Sequence, residues 1–304
     1  MPNLPHPSVR SLSATGVLPS LTLAARTGFV PQLQAVRGTL LVPKVDAHTR
    51  RDCGMEKKRS PGRARKKEAP ANRLPDGLAA AELDARRAER LDAAETLKGG
   101  RTPLTVIEVA ERASTLAENA VESFKASHPP PALACREGCD WCCQMIVGVS
   151  AAEVFRIADY LRRTLSPQDL DATRERLARL DDPRRRLPPH QRTGARLPCG
   201  LLVDHRCLAY PVRPLTCRGF NSGDAHQCEL FLDAPRRVRV PNYVPQLRLM
   251  TFVLDGMRAG LSESGLQGDL LELTGALRIA LTVPDAAQRW LAGEAVFASA
   301  RFNW

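Results

Sequence analysis

Residues 135–161 read CREGCDWCCQMIVGVSAAEVFRIADYL, and the fold is decided where this stretch changes character. It opens with four cysteines in nine positions, Cys135, Cys139, Cys142 and Cys143. It closes on Ser150-Ala-Ala-Glu153, a serine with a glutamate three residues on, which is the signature of a capping box. Val154, Ile157, Ala158 and Leu161 then recur at three- and four-residue steps, so a helix is expected over AAEVFRIADYLRRTL. The run Gln144–Val149 between the two halves reads as a brief strand or a buried turn. A thiol-rich irregular segment thus feeds directly into an amphipathic helix.

Working outward, the same helical grammar holds on both sides. Leu78–Leu97 is rich in strong helix formers with mixed charge along its faces, and Gly99-Gly100 ends it. Pro103 suits the first turn of the next helix, whose apolar positions run from Leu104 to Phe124 until His128 and Pro129-Pro130-Pro131 stop it. Ser166-Pro167 opens a further helix through Leu180, followed after Asp182-Pro183 by a basic, proline-broken loop. Residues 183–241 hold few long periodic stretches, and helical pattern resumes over Gln246–Ala259, Asp269–Leu281 and Asp285–Leu291. The expected fold is mainly α, a small helical domain around an irregular cysteine-rich metal-binding core.

Eight of the nine cysteines lie between residues 135 and 228. The second group is Cys199, Cys207, Cys217 and Cys228, the third of them within Cys207-Leu-Ala-Tyr210-Pro-Val-Arg213-Pro214-Leu-Thr-Cys217-Arg218. Thiolates bind soft and borderline metals, and by residue type four of them suit Zn²⁺ or an iron–sulfur cluster equally well. Disulfides are the poorer reading, since the chain exceeds the size at which staples are needed and shows no compact apolar leader with a small-residue cleavage site. Side chains of neighbours diverge by about 100° on a helix and about 180° on a strand. Cys142 and Cys143 therefore reach one small ion only through an irregular turn. One site drawing on both groups is expected, with a second site left open. Arg213, Arg218 and Tyr210 are expected around the metal, where guanidinium groups would offset thiolate charge or grip an anionic substrate. His205 and His226 read as loop histidines, and Trp141 as a shield against water.

GCDWCCQMIVGVSAAEVFRIADYL followed by PCGLLVDHRCLAYPVRPLTCRGFNS resembles the YkgJ-type cysteine-cluster family, whose mark is a CxxCxxCC zinc- or iron-chelating domain. The resemblance covers about residues 131–230. It rests on the adjacent Cys142-Cys143 pair, the Val-Ser-x-x-Glu helix start and the Cys-x-x-Tyr-x-x-Arg-Pro-x-x-Cys-Arg segment, all in order. One departure is that three residues, not two, separate Cys135 from Cys139, so the place of Cys135 in a ligand set stays open. The resemblance implies metal or iron–sulfur binding, with all eight cysteines as ligand candidates. Flagellin lysine methylases are similar in their cysteine motif, which implies a redox or protein-modifying enzyme as the alternative. Cys135-x3-Cys139-x2-Cys142 also matches the radical adenosylmethionine spacing literally, but those enzymes are built on strand-rich partial barrels and the flanks here read helical.

The net charge of +11 over 304 residues is uneven. Residues 1–74 hold 14 Lys and Arg against 4 Asp and Glu, whereas residues 75–304 hold 30 against 29. The basic balance belongs to the leader, so it says little about what the folded part binds. Residues 1–75 read as a disordered basic tail with a natural-looking start at Met55, and residues 76–304 as the helical domain. The run at residues 57–67, KKRSPGRARKK, is where nucleic acid would make contact if anywhere, and it carries no aromatic residue to stack on bases. No stretch is apolar enough to span a membrane. Partners are expected to be an unidentified protein or a small-molecule substrate. A reducing cytoplasm is the expected compartment for exposed thiolates, and the Ala-, Arg- and Pro-heavy usage points to a bacterial genome. Phosphate-binding glycine loops, a His-Glu-x-x-His pair and a Gly-x-Ser-x-Gly elbow are all absent from the sequence.

Overall fold

The computed structural model describes residues 74–192, 195–235 and 237–302, all within the compact unit Lys66–Trp304. The basic tail, the start at Met55, the 57–67 run and Cys53 lie outside the described residues. Helices dominate, with little strand. In order they are α1 (Leu78–Gly99), α2 (Pro103–Ser127), α3 (Ala151–Thr164), α4 (Pro167–Arg186), α5 (Pro189–Arg192), α6 (Leu215–Gly219), α7 (Ala225–Asp233), α8 (Val244–Glu263), α9 (Leu273–Thr282) and α10 (Ala286–Leu291). Two antiparallel pairs of very short strands complete the set. β1 (Gly148–Val149) pairs with β4 (Leu271–Glu272), and β2 (Leu202–Val203) with β3 (Arg206–Cys207). No described helix is long and apolar enough to cross a membrane.

The body is a stack in which α1 packs on α8, α2 on α8 and α3, and α9 on α3 and α4. Leu78, Ala85, Ala93 and Leu97 form the buried stripe of α1. Its backbone approaches α8 closely because α8 presents Gly256 and Gly260. A Cβ on Gly256 would stand 2.4 Å from the Arg86 carbonyl oxygen, and one on Gly260 2.6 Å from that of Arg90. Thr102 caps α2 by accepting from Thr105 N, with Pro103 at the first turn. At the far end, Phe155 of α3 packs against Trp290 of α10 and Phe297, with ring centroids 5.6 and 5.3 Å apart.

The capping box is formed as expected. Ser150 Oγ accepts from Glu153 N, and the Glu153 carboxylate accepts from Ser150 N at 2.8 Å. Two expectations are corrected. The helix opened by Ser166-Pro167 does not stop at Leu180 but runs through Pro183 to Arg186. Buried Arg184 anchors this last turn, donating to the Leu180, Leu197 and Pro198 carbonyls at 2.9, 2.8 and 2.6 Å. Asp181 and Asp182 pair with Arg185 beside it. The helix expected from Asp269 begins only at Leu273, because Leu271–Glu272 is drawn into pairing with β1. Of the strand or turn expected at Gln144–Val149, only Gly148–Val149 is strand, the same β1, and Gln144 closes a 3₁₀ turn.

Candidate metal centre

Four segments, the first more than fifty residues before the other three, deliver the eight cysteines, all of them free thiols. The first, residues 132–144, is stitched to the loop after α6 by Ala134 N donating to the Ser222 carbonyl at 2.7 Å. The Cys135 thiol donates to that same carbonyl at 3.9 Å. Gly138 turns the chain in the left-handed region (φ 80°) between Cys135 and Cys139. A single 3₁₀ turn, Trp141–Gln144, then carries Cys142 and Cys143.

The second segment lies against that turn. Cys199 N donates to the Cys143 carbonyl at 2.7 Å and Leu197 N to that of Gln144 at 3.1 Å. Arg184 fixes this strand from beneath through the Leu197 and Pro198 carbonyls. The β2–β3 hairpin follows. Asp204 and His205 take positive φ (47° and 60°) at its tip, and Cys207 stands opposite Leu202. The third segment is α6, bearing Cys217. Glu153 reaches across from α3 to accept from Leu215 N at 2.7 Å, while Thr216 Oγ1 donates to the Gly148 carbonyl at 2.7 Å. Last comes α7, capped by Asp224, with Cys228 buried and the helix packed against the 3₁₀ turn.

The electrostatics show thiols crowding one another with little positive charge nearby. Burial pushes Cys199 up to about 12 and Cys217 well above its ordinary value, and neighbouring thiolates would raise Cys217 further. Burial likewise raises Cys135, Cys207 and Cys228. Cys142 is the exception, lowered to about 7 because the Cys143 thiol hydrogen-bonds to it, with the Arg213 charge assisting. Cys143 is raised in turn. The fold therefore carries sulfur donors without enough cations to ionise them together. The donor chemistry fits a soft or borderline cation. Among the described residues, no group of three His, Cys, Asp or Glu side chains is arranged to hold a metal ion. What converges is the set of segments, not yet the sulfurs on one point.

The three residues expected around the metal divide in role. Arg218 is a brace: it donates to the Arg213 and Pro211 carbonyls at 2.9 and 2.7 Å and pairs with Glu118 of α2. Arg213 bears on the thiols, its charge acting on Cys135, Cys142 and Cys207 while that of Arg184 acts on Cys199. Its guanidinium lies 4.1 Å from the ring centroid of the exposed Tyr210, and its buried Nε has no hydrogen-bond partner. His205 and His226 pair with Asp140 and Glu229 at 3.1 and 3.5 Å. Arg184, Ser222 and the second oxygen of Glu153 escaped sequence reading as positioning groups; only the capping-box role of Glu153 carried a local signal. Comparison with protein-family models, with curated proteins and with solved structures returned no match to this chain.

Proposed function

We propose that this chain is a metal-binding protein whose centre, an iron–sulfur cluster or zinc, is held by cysteines from the 135–143 and 199–228 segments. One observation supports the reading: dedicated backbone bonds and buried braces fasten in place the segments that bear eight unbridged thiols. The resemblance of the cysteine motif to the YkgJ-type family supports it. Bound zinc would supply structural cross-linking, and a cluster would supply electron transfer. The chain's own residues have defined parts in either case. Arg213 offsets thiolate charge, Arg184 holds the Cys199 strand, and Glu153 ties the start of the Cys217 helix to α3.

The alternative is a redox or protein-modifying enzyme built on a [4Fe-4S] centre. The exposed Tyr210 ring, stacked on Arg213 beside the thiols, favours it, because a substrate or partner protein could approach there. The thiol-rich centre favours a reducing, cytoplasmic setting. The experiment is metal and sulfide analysis with an absorption spectrum, on full chain purified under argon. About four irons with matching sulfide and a broad band near roughly 400 nm, bleached on reduction, would support the cluster and keep the enzyme open. About one or two zincs with no visible band would support a structural centre. Preparations with neither metal nor affinity for added metal would overturn the proposal.

A further inference from the structure

The loop that follows α8 walls an open cleft of about 510 Å³. Arg258 and Ser262, one turn apart on α8, line it together with loop residues 265–269 and with Arg301 beyond α10. Gly268 lies so close to α8 that a Cβ there would stand 2.1 Å from Ser262 Oγ and 2.4 Å from the Arg258 carbonyl oxygen. The wall at that point is bare backbone. Among the described residues, no cysteine lines the cleft.

Its polar groups are held in place and still leave donors to spare. Asp269 Oδ2 accepts from Arg301 Nε at 2.9 Å and from Gln267 Nε2 at 3.0 Å, and Gln267 Oε1 accepts from Phe297 N at 3.3 Å. Arg258 donates through Nε to the Gly268 carbonyl and through Nη1 to Asp255, both at 3.0 Å. Each guanidinium is thus anchored by only part of its fork. Both terminal nitrogens of Arg301, Nη2 of Arg258 and the Ser262 hydroxyl donate to no acceptor among the described residues, and neither do the N–H groups of Gln267, Gly268 and Asp269. Two arginines against one carboxylate leave the lining positive.

We propose that this cleft binds a small polar molecule through a phosphate group. The free terminal edge of Arg301 is the fork that grips an oxyanion through two parallel hydrogen bonds. Arg258, Ser262 and the loop amides add donors beyond the two oxygens that a carboxylate offers, whereas a phosphate group offers three. The volume falls in the range of about 300–1,000 Å³ typical of small-molecule sites, so the cleft has room for more than a bare ion. Backbone and polar side chains make up most of its lining, which suits a hydroxylated rather than an apolar body. The proposal is independent of the metal-binding reading, since the two share no residue.

The test is isothermal titration calorimetry of the full chain at low ionic strength, with inorganic phosphate, glucose 6-phosphate and succinate as probes. The two phosphates are expected to bind in competition with each other, and succinate about tenfold more weakly or less. Arg301→Gln should weaken both phosphates by about tenfold or more, the effect of losing hydrogen bonds to a charged group. The Arg301 side chain is 48% exposed and its partner Asp269 40%, so this variant is expected to fold, which its thermal unfolding checks. Arg163→Gln removes an exposed arginine of α3 that does not line the cleft and should leave affinity unchanged. A wild type that binds neither phosphate overturns the site, as does an Arg301→Gln protein of unchanged affinity. Equal weakening by Arg163→Gln would show a general charge effect and overturn it too. Succinate bound as tightly as the phosphates overturns the choice of phosphate.

Discussion

Glu89 is fully buried on α1, and neither of its carboxylate oxygens has a hydrogen-bond partner. Burial, with Asp92 and Glu153 adding and Arg112 opposing, lifts it to about 9. The folded chain therefore keeps a proton that the unfolded chain releases in the ordinary carboxyl range. The stability tied to this proton is intact below that range and is lost progressively as pH rises toward 9. Replacing Glu89 by Gln removes the dependence. Thermal unfolding followed from pH 6 to pH 8 should show the variant gaining on the wild type by about 1–3 kcal/mol, since each pH unit across the window is worth about 1.4 kcal/mol. Parallel pH curves for the two proteins would show that Glu89 is ionised in the fold.

Among the elements, the α1–α8 contact depends on missing side chains. Gly256→Ala forces a methyl group against the Arg86 carbonyl and should lower stability by about 1–3 kcal/mol, read as a reduced urea midpoint at unchanged slope. Gly99→Ala, at the open end of α1 with nothing within 4 Å, should be neutral or slightly stabilising in the same assay. Equal effects at the two positions would contradict the close packing. These elements also show what was legible beforehand. Ser150-x-x-Glu153, Pro103 and His128 mark helix ends by chemistry that acts within four residues, and the helices end there. Pro183 reads as a stop, but Arg184 is held by carbonyls thirteen and fourteen residues away, and that anchor outweighs the lost hydrogen bond. Asp269–Glu272 looks helical in isolation, yet its last two residues are captured as strand by Gly148–Val149. The cysteines announce a donor set by density alone. The placing of the segments that carry them was hidden, because it depends on bonds such as Leu215 N to Glu153, which spans 62 residues.

Across the described residues, the hydrophobic core is built from apolar side chains of α1, α2, α3, α8 and α9, with Cys199, Cys207 and Cys217 packed only against its edge. Metal-free chain is thus expected to unfold cooperatively, unlike small zinc modules that collapse without their ion. Loading should raise the midpoint by mass action, with about 2.7 kcal/mol gained at a hundredfold excess over the dissociation constant. Scanning calorimetry of metal-free and loaded protein checks both statements. A metal-free sample with no transition would mean that the ion organises the fold.

The close seam between α1 and α8 also orders events during synthesis. The two helices bracket all eight cysteines, with α1 ending at Gly99 before the first and α8 starting at Val244 after the last. As the chain leaves the ribosome, all eight of these thiols emerge before α8, the packing partner of α1, has been made. The nascent protein passes through an interval in which its sulfurs are all present and its tightest packing is not.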